Sequence, residues 1–353
     1  MALEGMHVKE KYKIGKRLGE GSFGEVYQGK NIRNEKLVAI KIENCKRGRS
    51  LHYNEASVLK ELKHKKRFPN IYWEGVENNR KIIVMQLLSK TIKQYINAQG
   101  KKPPMTSVVP IFKDMLECLK TLHRNNFIHR DIKPENFMMG RGKDSFRVYL
   151  VDFGLSKKFR MPTTREHIRM RENNPLMGTA CYASANCHLG YSLSRRDDLE
   201  SLLYLFVYML KGKLPWQGLP RKCFDKYFNM QKMKINMSLE EICRGCPQQI
   251  VEMMAYVRRL RFTETPDYGY LDRMLDGILR FRPSPSLILD RINSTVIYDN
   301  LSGLKASQSR LTYTGTQFDE SYSNHFEETT IKDSKLPEFK DRSRIIRQKS
   351  TLN

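Results

Sequence analysis

The stretch Phe127-Ile128-His129-Arg130-Asp131-Ile132-Lys133-Pro134-Glu135-Asn136 decides how the chain is read, together with Asp152-Phe153-Gly154 sixteen residues on. Short apolar runs flank both segments, so two acids and an amide sit on loops at the ends of short strands. Asp131 suits a base that orients a hydroxyl. Asn136 and Asp152 are hard oxygen donors, matched to Mg²⁺ and poorly matched to zinc. Two carboxylates held close together call for a cation between them. Phosphoryl transfer needs this set: one group for the nucleophile, others for the metal that neutralises phosphate charge. A lone His-Arg-Asp tripeptide would be chance in a basic protein. The other required parts, present in order, decide against that.

Upstream, Gly19-Glu20-Gly21-Ser22-Phe23-Gly24-Glu25-Val26 matches G-x-G-x-x-G-x-V. Glycines let a backbone approach phosphates and aim amides at them. A dinucleotide fingerprint would need a helix straight after the glycines, whereas residues 25–29 alternate like a strand. An ordinary hairpin turn is the bland alternative. Val38-Ala39-Ile40-Lys41 puts a lysine on the third strand, within reach of phosphates. A buried lysine needs a counter-charge. Glu55 on the following helix is the candidate, with Leu59 one turn on to anchor that helix against Phe153; Glu61 is the runner-up.

Downstream, Lys133 can neutralise the transferred phosphate. Gly178-Thr179-x-x-Tyr182 supplies a hydroxyl that could bridge Asp131 and Lys133. Lysine at 133 with Thr179 points to serine and threonine acceptors. His129 is expected to be structural and buried. Asp198 is expected to hold the catalytic loop from below.

Around these motifs, residues 12–18 and 25–29 read as strands about a glycine turn, and 37–43 as a third. Residues 44–50 form a polar basic loop and 51–63 a helix. Pro69 ends that region, and 82–88 is a further strand. Residues 106–123 are a helix, with Val108, Phe112, Met115, Leu116, Leu119 and Leu122 at helical period and Thr106 as its cap. Residues 160–177 read as an exposed loop, and 197–210, apolar nearly all round, as a buried helix. Pro247 opens another helix at its first turn. Leu271, Met274, Leu275, Ile278 and Leu279 mark the last. A strand-rich first part and a helix-rich second part give an α+β chain of two lobes with a cleft between, hinged near 86–89.

The chain has 353 residues, 40% of them hydrophobic, enough for a sizeable core. The formal net charge is +25 and the pI about 9.7. Such a field attracts nucleic acid, anionic membrane or phosphorylated protein, or is simply a solvated surface. No interleaved aromatic and basic motif supports nucleic-acid recognition. Seven cysteines, irregularly spaced behind a polar start, read as reduced thiols in a cytosolic or nuclear compartment. Cys243-Arg-Gly-Cys246 lacks the second pair that zinc would need. The longest apolar run, 202–210, is too short to span a bilayer.

With these residues in view, the sequence resembles a eukaryotic protein kinase, and more narrowly the casein kinase 1 family. The narrower resemblance rests on residues 127–137, Arg171-Glu-Asn173, Gly178-Thr-Ala-Cys-Tyr-Ala-Ser184, His188-Leu-Gly190, Ser194-Arg-Arg-Asp-Asp-Leu-Glu-Ser201, Leu214-Pro-Trp-Gln-Gly218 and Pro266-Asp-Tyr268. Like that family, the chain lacks Ala-Pro-Glu after the activation loop. The resemblance covers about residues 12–281. It implies a bilobal kinase fold: an extension at 1–11, a kinase domain at 12–300 with lobes of about 12–88 and 89–300, and a basic, mostly disordered tail at 301–353.

The resemblance further implies ATP with Mg²⁺ and phosphorylation of serine or threonine in proteins. Asp131 would be the base, and Asn136 and Asp152 would hold metal. Lys41 would pair with Glu55 and the phosphates, beneath Leu18, Gly19, Glu20, Gly21, Ser22, Phe23, Gly24 and Glu25. Val26, Ala39 and Met138 would sandwich adenine, Met85 would be the gatekeeper, and Leu88 would offer its backbone amide. Protein substrates would be acidic or pre-phosphorylated, read by a basic patch. Asn174 and Cys181 stand where that patch looks basic, and Gln86 where the family has glutamate. Arg130 and Lys157 remain, with Arg171, Arg195, Arg196 and Arg221 nearby in sequence. Activity without activation-loop phosphorylation and a monomeric state are the defaults. A catalytically dead scaffold would usually lack Lys41, Asp131 or Asp152, and all three are present.

Overall fold

The computed structural model describes residues 3–21, 24–44, 51–100, 103–219 and 226–280. Residues 45–50, most of the expected basic loop, and the expected tail at 301–353 lie outside them. The first part is a six-stranded antiparallel sheet. Its strands are β1 (His7–Val8), β2 (Tyr12–Gly21), β3 (Gly24–Asn31), β4 (Leu37–Asn44), β5 (Ile71–Glu77) and β6 (Arg80–Gln86), in the order β1-β2-β3-β4-β6-β5. Strand side chains alternate between faces, which gives this sheet two apolar sides. Val38, Ile40 and Ile42 of β4 join Ile82 and Val84 of β6 in one cluster with Tyr12, Ile14 and Tyr27. The intervening Ala39, Ile83 and Met85 form another cluster with Ala56. Helix α1 (Leu51–Glu61) contributes that Ala56. Lys41, between Ile40 and Ile42, therefore shares the Ala39 side.

Residues 87–90 lead out of the sheet. Ser89 donates its N–H to the Met139 carbonyl at 2.9 Å, and Met139 donates to Lys90 at 2.8 Å. The helical part follows: α2 (Ile92–Ala98), α3 (Met105–Arg124), α4 (Ala185–His188), α5 (Arg195–Lys211), α6 (Lys226–Asn236), α7 (Leu239–Ile242), α8 (Gln248–Arg259) and α9 (Tyr268–Arg280). Short strands β7 (Phe127–Ile128), β8 (Phe137–Met139), β9 (Val148–Leu150) and β10 (Lys157–Lys158) pair as β7 with β10 and β8 with β9. Buried residues of α3, α5 and α8 make one core, which also takes in Val58, Leu59 and Leu62 from the end of α1 and Phe153. The stacked rings of Phe112 and Phe206, 4.0 Å apart, mark the α3–α5 contact.

Four local expectations change. Helix α3 starts at Met105, and its cap is Pro104 in an extended conformation with no side-chain bond, so Thr106 lies inside the helix and caps nothing. Pro247 is the cap residue of α8 and not its first helical position. Leu279, expected on the buried side of α9, is exposed, while Leu271, Leu275 and Ile278 are buried. Strands β1 and β5 and helices α2, α4, α6 and α7 have no counterpart in the sequence reading. The loop at 160–177 is mostly exposed as expected, with one bridge between Arg160 and His167.

Candidate active site

Lys41 on β4 meets Glu55 on α1 at 2.5 Å and Asp152 at 3.1 Å. Burial would push the lysine down, but the two carboxylates outweigh it and hold the ammonium above its ordinary range. Burial likewise works against ionisation of Asp152, and the charge and hydrogen bond of Lys41 overcome it, holding the carboxyl below its usual value. Both groups are charged at neutral pH. Glu61, the runner-up partner, pairs instead with Lys158 at 2.8 Å.

Asp131 lies in the loop between β7 and β8. Its Oδ1 accepts from the Thr179 N–H and from Thr179 Oγ1, each at 2.8 Å. Its Oδ2 is 2.8 Å from Lys133 Nζ. The expected bridge is thus inverted, because the carboxylate joins the hydroxyl and the lysine by using a different oxygen for each. Gly178 makes this approach possible: it has φ +73°, and a Cβ there would lie 2.4 Å from the Arg130 carbonyl. Asn136 donates Nδ2 to the Asp131 carbonyl at 2.8 Å and to Oδ2 at 3.2 Å. With its nitrogen engaged, its amide oxygen is the ligand atom left to offer.

The loop is held from underneath. Asp198 of α5 accepts the N–H groups of His129 (2.7 Å) and Arg130 (2.9 Å), and also meets His123 Nε2 at 2.9 Å. His129 is fully buried, with Nε2 at 3.1 Å from the Val151 carbonyl. Both readings made from the residues agree with this geometry. The adjacent Asp197 accepts from Ser184 Oγ (2.8 Å) and Asn186 Nδ2 (3.0 Å), which fixes the segment after Thr179.

On the sheet side, Gly19 pairs with Val26, Glu20 with Glu25 and Gly21 with Gly24. Gly24 has φ +125°, and a Cβ would lie 2.3 Å from the Ile42 carbonyl, so the hairpin requires glycine there. A strand, β3, follows the glycines, which removes the dinucleotide-fold alternative. Ser22 and Phe23 lie outside the described residues. Ala39 pairs with Met85 across β4 and β6, and both are buried. Val26 is partly buried against them and Leu18 is exposed. Leu88 is buried just beyond β6, and Met138 on β8 bridges to Thr91.

A family model described as the protein kinase domain matches residues 12–267. The chain belongs to the protein kinase domain family. It is a protein kinase, a phosphotransferase; its family uses ATP, usually with Mg²⁺, and takes proteins as substrates. Among the described residues of the kinase, no helix is long and apolar enough to cross a membrane.

The cations beside the activation loop divide into two groups. Arg130 and Lys157 line a pocket with Asn174, Pro175, Met177 and Tyr191. Burial and the like charges of Arg130 and Arg171 push Lys157 down. Asn174 donates to the carbonyls of Arg171 and Gly190, both at 3.0 Å. Arg195 and Arg196 point elsewhere: Arg195 donates to the Thr263 carbonyl (2.7 Å) and Arg196 to the Leu260 carbonyl (2.8 Å). Arg221 lies outside the described residues. Two groups escaped the sequence reading. Lys234 of α6, fully buried, donates to the carbonyls of Ala180 and Ala183 at 2.8 and 2.6 Å. Asn54 of α1 reaches the carbonyls of Phe153, Gly154 and Ser156. A lone lysine or asparagine on a helix carries no spacing signal.

Proposed function

We propose that the chain is a serine/threonine protein kinase resembling casein kinase 1, transferring the ATP γ-phosphate to acid- or phospho-directed protein substrates. The observation that carries this is the Asp131 carboxylate, one oxygen on Thr179 and the other on Lys133. A substrate hydroxyl entering beside it gives its proton to Asp131, while the Lys133 ammonium offsets charge on the moving phosphoryl group. Lys41, fixed by Glu55, holds the phosphates, and the backbone of 19–26 covers them. Asp152 and the Asn136 amide oxygen are hard donors and fit Mg²⁺. When bound, that ion would neutralise phosphate charge. Val26, Ala39, Met85, Leu88 and Met138 form the apolar seat for the base. Turnover of ~1–100 s⁻¹ is typical of such sites.

The cluster of Arg130, Lys157 and Arg171 supports an anionic residue upstream of the acceptor. It is weaker than an uninterrupted basic patch, because Asn174 and Cys181 bring no charge. The kinase domain at 12–300, an extension at 1–11, a basic tail at 301–353, a monomeric state and a cytoplasmic or nuclear location belong to the same proposal. Radiolabelled ATP transfer by the full chain tests it, with Asp131→Asn as control and three peptides carrying an acid or phosphoserine, a neutral residue, or a base three positions before the acceptor. Transfer to the first alone is expected. Transfer without preference would remove the substrate rule, and tyrosine-only transfer would remove the serine/threonine assignment.

A further inference from the structure

We propose that Asn54 is a positioning residue for phosphotransfer, its side-chain amide clasping the turn after Asp152 so that this carboxylate stays at Lys41. The inference rests on the phosphotransfer reading above. Asn54 precedes Glu55 on α1, and neighbours on a helix point about 100° apart. Glu55 is thereby aimed at Lys41 and Asn54 at the chain beyond Asp152. Asn54 Nδ2 lies 3.0 Å from the Phe153 carbonyl, 2.9 Å from Gly154 and 2.9 Å from Ser156. An amide carries two N–H hydrogens, so one of them is shared. The turn is closed by Ser156 N–H on the Phe153 carbonyl at 3.0 Å.

The remaining carbonyl of the run, Leu155, accepts from Arg130 Nε at 2.6 Å. Four consecutive carbonyls, 153 to 156, are therefore each met by a side chain: three by the single amide nitrogen of Asn54 and one by the guanidinium of Arg130. Asp152 itself has φ +64°, a left-handed conformation that a non-glycine residue keeps only where its surroundings impose it. A neutral amide is what the position demands. Aspartate would turn an anionic oxygen toward three carbonyl oxygens, and an apolar side chain would leave them without their donor.

The test uses the full chain with Asn54→Asp and Asn54→Ala, and Asn54→Gln as the conservative variant. Steady-state kinetics, thermal midpoint, and hydrogen–deuterium exchange over 152–158 without nucleotide are measured on each. Asn54→Asp and Asn54→Ala should lower kcat about 10-fold, the scale of one or two lost hydrogen bonds. They should raise the KM for ATP, leave the peptide KM within about twofold and speed exchange within 153–158. Asn54→Gln should recover part of kcat. Activity within about twofold of wild type in both would overturn the proposal. So would exchange raised evenly across the chain together with a lower midpoint, since that marks general instability. Wild-type protein that transfers no phosphate would count against the phosphotransfer reading, while the exchange comparison still decides whether the clasp exists.

Discussion

Lys41, Glu55 and Asp152 form a charge triad whose members cannot be removed one at a time without cost. Lys41→Met would leave two carboxylates facing each other in a mostly buried site. Breaking such a buried pair typically costs about 3–5 kcal/mol, so urea denaturation should show a loss of that order along with loss of transfer. Asp131→Asn removes the proposed base and turns an amide N–H toward a donor, since both oxygens now accept; transfer should fall by about 10²–10⁴ in kcat, with a stability loss of ~1–3 kcal/mol. Lys41, Asp131 and Asn136 could be read from sequence because each lies in a run whose neighbours set its direction, as Ile40 and Ile42 do for Lys41. Asn54 could not. Its partners lie 99 to 102 residues away, and nothing local announces them.

Helix α5 ties together two loops of the candidate site through adjacent acids at its start. Asp197 ties down the segment after Thr179, and Asp198 the loop before Asp131. Asp198→Asn would put an N–H where a backbone N–H now donates. We expect about 10-fold lower kcat and a stability loss of ~1–3 kcal/mol, read by peptide kinetics and thermal melts. Phe206→Ala, which removes the ring stacked on Phe112, should cost ~3–5 kcal/mol by urea titration. The helices with strong apolar periodicity, α3, α5 and α9, were legible. Strand β5 was not, because every residue of it but one is half-buried and no alternation shows. Helix α2 carries a sign in its sequence: Thr91 and Gln94 make a capping box, each bonded to the other's backbone. The misplaced cap of α3 is a competition between a threonine and two preceding prolines, and the extended Pro104 starts the helix first.

Across the whole molecule, a first compact unit runs from Met1 to Pro283. A chain ending there is expected to keep peptide phosphorylation within a few-fold of full length. The division into a sheet and a helical part was legible from the change of period near residue 90, since strands and helices repeat apolar residues differently. Which cations face outward was not: Arg195, Arg196 and Lys234 all donate to backbone carbonyls. Acid stability carries a signature of the same packing. Burial, helped by the Lys234 charge, pushes His188 down to about 4 from 6.5. Between those values the folded form binds fewer protons than the unfolded one, so this contribution to stability is present above 6.5 and is lost as pH falls to 4. Melts of His188→Gln should show a flatter dependence across that window. The clasped turn after Asp152 has a pharmacological consequence. Phe153 is fully buried, edge-on to His129 and tilted against Phe68. A ligand whose binding requires this ring to swing out has first to undo the amide of Asn54 and the guanidinium of Arg130. Such compounds should associate slowly and weakly here, whereas competitors confined to the proposed adenine seat meet no such barrier.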